Sequence, residues 1–356
     1  MRVLITGGAG FVGANLAVHL AERHDDWDIV AFDNLHRRGS ELNVGRLRVA
    51  GVEFVHGDVR TSGDLDGVGP VDAIVECSAE PSALAGRDGS PDYVVNTNLF
   101  GAYNCLELAR RLGACLLFLS TSRVYPVAPL CALVLEEAAT RFELAAHQAL
   151  PGVSRAGIAE DFPLSGARTL YGATKLGAEL LIGEYRDAYG LRAVIDRCGV
   201  IAGPWQMGKV DQGVFSHWML AHHFDRPLRY IGFGGSGKQV RDLLHIGDLC
   251  ELLDEQLAHP EAWDGATVNI GGGRDGSLSL LETTALCAEI TGRRIKMGSV
   301  AETRPGDVPL YLSDSHALGE LTEWRPRSTP RDVLADTHDW ICQHEAELAP
   351  LAHSIR

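Results

Sequence analysis

The chain has 356 residues, more than one hydrophobic core usually organises, so a large domain with a smaller lobe is expected. Its 46% hydrophobic and 22% charged residues are typical of a globular protein, and no apolar run approaches the roughly 18 to 20 residues that span a bilayer. A net charge of −15 opposes non-specific binding to nucleic acid, since phosphates would meet a repulsive field, yet it leaves room for a small anion held by a local cluster of cations.

The strand-like VLITG begins two residues after Met1 and leaves no space for a signal peptide. The eight cysteines lie far apart, with no CxxC pair and no metal-ligand spacing. They read as reduced, mostly buried small hydrophobes of a cytoplasmic protein, so neither thiol catalysis nor a metal site is expected.

In chain order, VLITG (3–7), DIVAFD (28–33), VEFVHGD (52–58), DAIVEC (72–77) and CLLFLST (115–121) are predicted buried strands. Helical spacing marks 11–23 and 92–112 between them. A helix over about 170–189 leads to a further strand at 193–199. Continuous apolar strands alternating with helices predict an α/β fold: a doubly wound parallel sheet covered on both faces. Beyond residue 200 the pattern is irregular and rich in Gly and Pro, with a strand at TVNIGG and helices near 245–258, 278–291 and 331–347. The expected division is a dinucleotide-binding domain over 1–199, with a long insertion at 126–168, and a mainly substrate-binding lobe over 200–356 that returns some chain to the main domain.

Three groups of residues carry chemistry. Gly7-Gly8-Ala9-Gly10-Phe11-Val12-Gly13 follows the first strand and opens the first helix. Glycines there allow a tight turn, let backbone approach a pyrophosphate, and aim a helix N-terminus at it. Asp33 ends the second strand twenty residues after Gly13, where a carboxylate bonds ribose hydroxyls and repels a 2′-phosphate. NAD is therefore expected rather than NADP. Asp58, at the end of the third strand, reads either as an adenine-side contact or as a solvated strand-end acid.

The second group is Tyr171 and Lys175, four apart on a predicted helix and so on one face. With eight Tyr and four Lys in the chain, the pair arises by chance in about one such sequence in ten, so its meaning comes from chemistry. A phenol near pKa 10 needs about 4 kcal/mol of preferential phenolate stabilisation to become a base at neutral pH, which a neighbouring ammonium and an oxidised nicotinamide together supply. The third group is Ser120-Thr121-Ser122-Arg123-Val124-Tyr125, at the C-terminal end of a strand, the edge where open α/β sheets bind ligands. Thr121 is placed to hydrogen-bond a reacting oxygen, although alone it would pass as an ordinary strand-end residue.

With these groups in register, the sequence resembles the extended short-chain dehydrogenase/reductase family, with its Rossmann-type fold, over nearly its whole length. Within that family it looks most like the nucleotide-sugar epimerases. TGGAGFVGANL, FDNL (32–35), HGDVR (56–60), NTNLFGAYNCLELAR (96–110), STSRVY (120–125) and YGATK (171–175) carry the match. EEAATRF (136–142), KVDQG (209–213), GKQVRDLLH (237–245) and NIGGG (269–273) point to the subgroup of CDP-sugar 2-epimerases.

The resemblance implies Thr121, Tyr171 and Lys175 as the catalytic trio. It implies Gly7, Gly10, Phe11, Val12, Gly13, Asp33, Asn34, Asp58, Val59 and Lys175 on the NAD side. Asn98 would lie near the active site, with Gln239 and Arg241 on the nucleotide-sugar side. Guanidinium suits phosphate oxygens, while an ion pair of Arg241 with neighbouring Asp242 is the plain alternative. Four departures stand out: Ser122 and Arg123 where sugar 4,6-dehydratases carry an Asp-Glu pair, Glu76-Cys77-Ser78-Ala79 in place of an HLA-type motif, Val200 where many sugar epimerases have asparagine, and Pro126 after Tyr125 in place of the usual glycine.

The expected activity is epimerisation of a nucleotide-linked sugar through a transient ketone, at C2 by resemblance, although spacing does not separate C2 from C4. A dehydrogenase releasing NADH and a non-catalytic NAD-responsive binding protein are the alternatives. The 126–168 stretch reads as a cover over the site or as a dimer-facing or mobile excursion. By resemblance, helices near 92–112 and 170–189 pair across a two-fold, so a homodimer is expected.

Overall fold

The computed structural model describes residues 1–87, 89–207 and 212–354, so most of KVDQG (209–213) lies outside the described residues. The chain divides into two compact units. The first comprises 1–124, 170–197 and 250–268, and the second 125–169, 198–249 and 269–356.

The predicted Rossmann-type sheet is present. Seven strands lie in the order Thr267–Ile270, Ala193–Cys198, Cys115–Thr121, Ala73–Glu76, Arg2–Thr6, Asp28–Asp33 and Glu53–His56. The chain starts at Arg2–Thr6, adds strands toward one edge, then crosses back through Ala73–Glu76 to build the other. The direction of winding therefore switches between Arg2–Thr6 and Ala73–Glu76, parallel neighbours with Thr6 opposite Glu76. A crevice at the carboxyl ends of such a pair is where this architecture takes ligands. All seven residues of Cys115–Thr121 are buried, as a strand covered on both faces requires. Phe32, Ile74, Leu106, Leu116, Phe118 and Ile182 fill the core around it.

The strands at 28–33 and 115–121 and the helix Phe11–Arg23 have the predicted bounds. The helix expected over 92–112 is instead a composite of Asp92–Val95, a π-turn at Asn96–Phe100, and Gly101–Leu112. The extra residue of a π-turn re-aims its side chains, and Asn98 lies fully buried within it.

In the second unit, Val240–His245 is the central strand of a mixed sheet. It runs parallel to Val200–Ala202 and Leu310–Tyr311 and antiparallel to Ser277–Ser279. The 126–168 stretch is built into this unit. It forms the helix Val127–Cys131 and a hairpin of Leu135–Glu137 with Phe142–Leu144. Phe142 N–H donates to the Lys238 carbonyl at 3.0 Å, and the Thr140 hydroxyl donates to Glu282 at 2.6 Å. Glu282 also closes a capping box with Ser279 at the start of helix Leu280–Thr291, an arrangement that stabilises a helix end by about 1 kcal/mol. A second box, Thr329 with Asp332, starts helix Pro330–Gln343. Helix Val214–His223 escaped the sequence reading because eight of its ten residues are buried, leaving no polar face to show a period.

Candidate active site

The glycine-rich turn is shaped by contacts that forbid side chains. Gly7 has φ +64°, and a Cβ there would lie 2.8 Å from the Cys77 carbonyl oxygen across the switch point. A Cβ on Gly13 would run into the Gly7 carbonyl, and one on Gly10 would approach it to 3.0 Å. Gly10 caps helix Phe11–Arg23 with no side-chain bond, so the first-turn amides around Phe11 and Val12 remain for an anion. Asp33 accepts from Ala9 N–H at 3.1 Å and from Leu35 N–H at 2.7 Å, which fixes its carboxylate beside the turn. Burial pushes its pKa up, against these bonds. The cradle fits a dinucleotide.

Asp58 is gripped by Arg60, with a shortest contact of 2.6 Å, and by the Asn34 amide at 2.9 Å. The Arg60 guanidinium holds its carboxyl well below the usual range. Asn34 thus ties the end of the second strand to the end of the third. Val59 turns its side chain into the core, and its carbonyl accepts from Asn104 at 2.8 Å, leaving its amide as the group available to a ligand.

The helix Leu170–Tyr189 carries Tyr171, Lys175 and Glu179 at four-residue intervals along one face. Its start is docked by backbone: a Cβ on Gly172 would overlap the Arg123 carbonyl. That contact sets Tyr171 beside the 122–124 turn that follows Thr121. Thr121 Oγ1 accepts from Arg123 N–H at 3.2 Å, which leaves its O–H to donate elsewhere.

Lys175 is buried, with Nζ 3.1 Å from Glu76 Oε2 and 3.8 Å from the centre of the Phe118 ring. Glu76 is fully buried at the end of its strand, and burial pushes its pKa up while the Lys175 ammonium pulls the other way. Its Oε1 has no hydrogen-bond partner among the described residues. Four residues along the helix, Glu179 takes 2.8 and 3.2 Å bonds from Arg197 and a bond from the Ser120 hydroxyl.

Asn98 uses its amide inside the protein. Its oxygen accepts from Glu80 N–H at 2.8 Å, and its nitrogen donates to the Glu80 carbonyl at 3.1 Å and to Thr174 Oγ1 at 3.2 Å. It therefore clamps the loop after the fourth strand to the Tyr171/Lys175 helix.

Gln239 and Arg241 lie in the second unit. Gln239 donates to the Ile231 carbonyl at 3.0 Å, and its buried Oε1 has no partner among the described residues. Arg241 pairs with Asp307 at 2.6 Å, not with Asp242. Neighbours in a strand point to opposite faces, and Asp242 turns inward to accept from Ser313 N–H at 3.0 Å, its pKa pushed up to about 6 by burial.

Sequence reading missed Glu76 as the partner of Lys175 and missed the Ser120–Glu179–Arg197 network. The one available signal was a carboxylate ending an otherwise apolar strand, which demands a buried cation.

Residues 3–271 match the profile of the NAD dependent epimerase/dehydratase family. The chain belongs to this family. CDP-paratose 2-epimerase of Salmonella typhi is 28% identical over 351 residues, covering 96% of this chain and 99% of that protein. dTDP-glucose 4,6-dehydratase of Mycobacterium tuberculosis (H37Rv) is 28% identical over 354 residues, covering 99% and 96%. The structure of UDP-glucuronic acid 4-epimerase from Bacillus cereus, in complex with UDP-glucuronic acid and NAD, superposes with a TM-score of 0.77 at 22% identity, covering 96% and 99% of the two chains. Membership makes this an NAD-dependent, nucleotide-sugar-modifying enzyme of the extended short-chain dehydrogenase/reductase type. No described helix is long and apolar enough to cross a membrane.

Proposed function

We propose that this family member is an epimerase that inverts a carbinol centre of a nucleotide-linked sugar, C2 of a CDP-sugar being the first substrate to test. The observation that carries the reading is the helix Leu170–Tyr189, docked so that Tyr171 flanks the Thr121 turn while buried Lys175 lies four residues deeper.

Bound NAD supplies a reversible hydride acceptor. Tyr171, as phenolate, takes the proton of the sugar hydroxyl and later returns it. Lys175 stabilises the phenolate, and Glu76 is its buried counter-charge. Thr121 donates to the reacting oxygen. Asn98 and Gly172 hold these groups in register. Arg241, with Gln239 just before its strand, meets the anionic end of the substrate by releasing part of its hold on Asp307.

Epimerase is favoured over dehydratase because Ser122 and Arg123 stand where an acid pair would be needed to expel water. The second unit binds the sugar nucleotide, and the protein acts as a homodimer. Leu180 and Tyr189 on one helix and Phe100 and Tyr103 on its neighbour expose 67, 60, 52 and 42% of their surfaces, an apolar area suited to a second copy.

The test uses a CDP-sugar deuterated at C2. Epimerisation with the label retained at C2, and with no net rise in reduced-nicotinamide absorbance, supports the reading. A stoichiometric rise with ketosugar release establishes a dehydrogenase instead, and loss of water from the sugar establishes a dehydratase.

A further inference from the structure

Away from the catalytic residues, three metal-binding side chains converge within the second unit. His223 ends the buried helix Val214–His223, and His338 and Cys342 lie four apart on one face of Pro330–Gln343. Their ligand atoms all lie within 4.8 Å of one another. His223 Nδ1 is 3.3 Å from His338 Nε2, and Cys342 Sγ is 3.6 Å from His338 Nε2 and 3.9 Å from His223 Nδ1. A tetrahedral zinc ion with bonds of about 2.0 Å to nitrogen and about 2.3 Å to sulfur separates its ligands by about 3.3 Å (N to N) and about 3.5 Å (N to S). The three side chains already outline one face of that tetrahedron. A histidine–histidine hydrogen bond accounts for one edge of the triangle and leaves unexplained why the thiol approaches both ring nitrogens.

We propose that His223, His338 and Cys342 form a zinc site with water in the fourth position. The surroundings agree. Burial favours neutral imidazole at both histidines, the form that ligates. Glu345 lies 3.8 Å from His223 Nε2, the nitrogen left over once Nδ1 is on the metal, where a carboxylate orients a ligating ring. Asp339 adds negative charge near His338 and Cys342, and Arg293, which donates to the His223 carbonyl, adds an opposing positive charge. On binding, the Cys342 thiol releases its proton to solvent and bonds through sulfur, so no redox change is involved. Cys342 is exposed, which leaves the fourth position to water. The two helices share the core formed by Phe215, Met219, Val333, Leu334 and Ile341, so the ion would clip helix Pro330–Gln343 to helix Val214–His223. Spacing along the chain hides the site because His223 precedes its partners by more than a hundred residues.

The chelator-stripped full-length protein is titrated with Co²⁺ and then Zn²⁺. The expected result is one cobalt per chain, with a near-ultraviolet thiolate charge-transfer band and the intense visible bands of tetrahedral cobalt, displaced by zinc, and a zinc-dependent rise in melting temperature. Cys342→Ser should abolish the charge-transfer band, and it and His338→Asn should each weaken zinc binding about 100-fold. Neither residue lies in the core, and an unchanged circular dichroism spectrum with cooperative unfolding of the metal-free protein verifies that both variants are folded. A titration without the thiolate band, or equal zinc affinity in the wild type and a folded Cys342→Ser, overturns the proposal.

Discussion

Two buried ion pairs lie one helical turn apart on Leu170–Tyr189, and they are built differently. Glu179 meets Arg197 through both oxygens and takes the Ser120 hydroxyl as well. Glu76 gives Lys175 one oxygen, while the other has no hydrogen-bond partner among the described residues. A satisfied network in a low dielectric holds shape. A half-satisfied pair next to a ligand crevice keeps desolvation uncompensated, which a binding site tolerates and a scaffold does not. The helix thus carries its fixing point at Glu179, one turn beyond the Tyr171 and Lys175 to which the proposed chemistry is assigned.

Four experiments sharpen or break that contrast. The largest effect is expected from Tyr171→Phe, which should lower kcat by about 10² to 10⁴-fold with NAD affinity unchanged, as measured by epimerisation assay and cofactor titration. Glu179→Gln should cost about 3 to 5 kcal/mol in denaturant unfolding, because Arg197 is left with a buried, uncompensated charge. Glu76→Gln should cost less, about 1 to 3 kcal/mol, because the Gln oxygen can still accept the single Lys175 bond, whereas Glu179 holds several. Equal losses in the two Glu→Gln variants would erase the distinction.

The third experiment concerns Asp196, fully buried with one oxygen bonded to Gln256 at 3.0 Å and its pKa pushed up to about 7 by burial. An acid that holds its proton more tightly when folded favours the fold at low pH, and this advantage is lost as pH rises from about 4 to about 7. Asp196→Asn should therefore raise stability above pH 7 by on the order of 2 kcal/mol and flatten the dependence below it, read from melting temperature against pH.

The smallest effect is kinetic. Neutralising Glu76 leaves more of the Lys175 charge to act on the phenolate, so in Glu76→Gln the acid limb of kcat/KM should move about one unit toward lower pH. Glu179→Gln should leave that limb in place.

Much of this arrangement was legible in the sequence where local rules govern it. The strand–glycine turn–helix at 2–23 and the i, i+4 relation of Tyr171 to Lys175 need only neighbouring residues. Pairings fixed by topology were not legible. Glu76 and Lys175 are 99 positions apart, and Arg241 pairs with Asp307 because strand alternation turns the adjacent Asp242 the other way. The 126–168 stretch read as an insertion into the first domain because it precedes Tyr171. Its backbone and side-chain bonds to Lys238 and Glu282 place it in the second unit, and those partners lie about a hundred or more residues downstream.

The contact of Gly172 with the Arg123 carbonyl has a consequence for how such enzymes diversify. The alignment of the start of helix Leu170–Tyr189 with the turn after strand Cys115–Thr121 is settled by main chain against main chain, so it is indifferent to which side chains line the rest of the crevice. In the proposed mechanism, substrate preference can therefore drift without retuning the proton-transfer step. The reverse experiment, a methyl group at position 172, would misalign that step for every sugar at once.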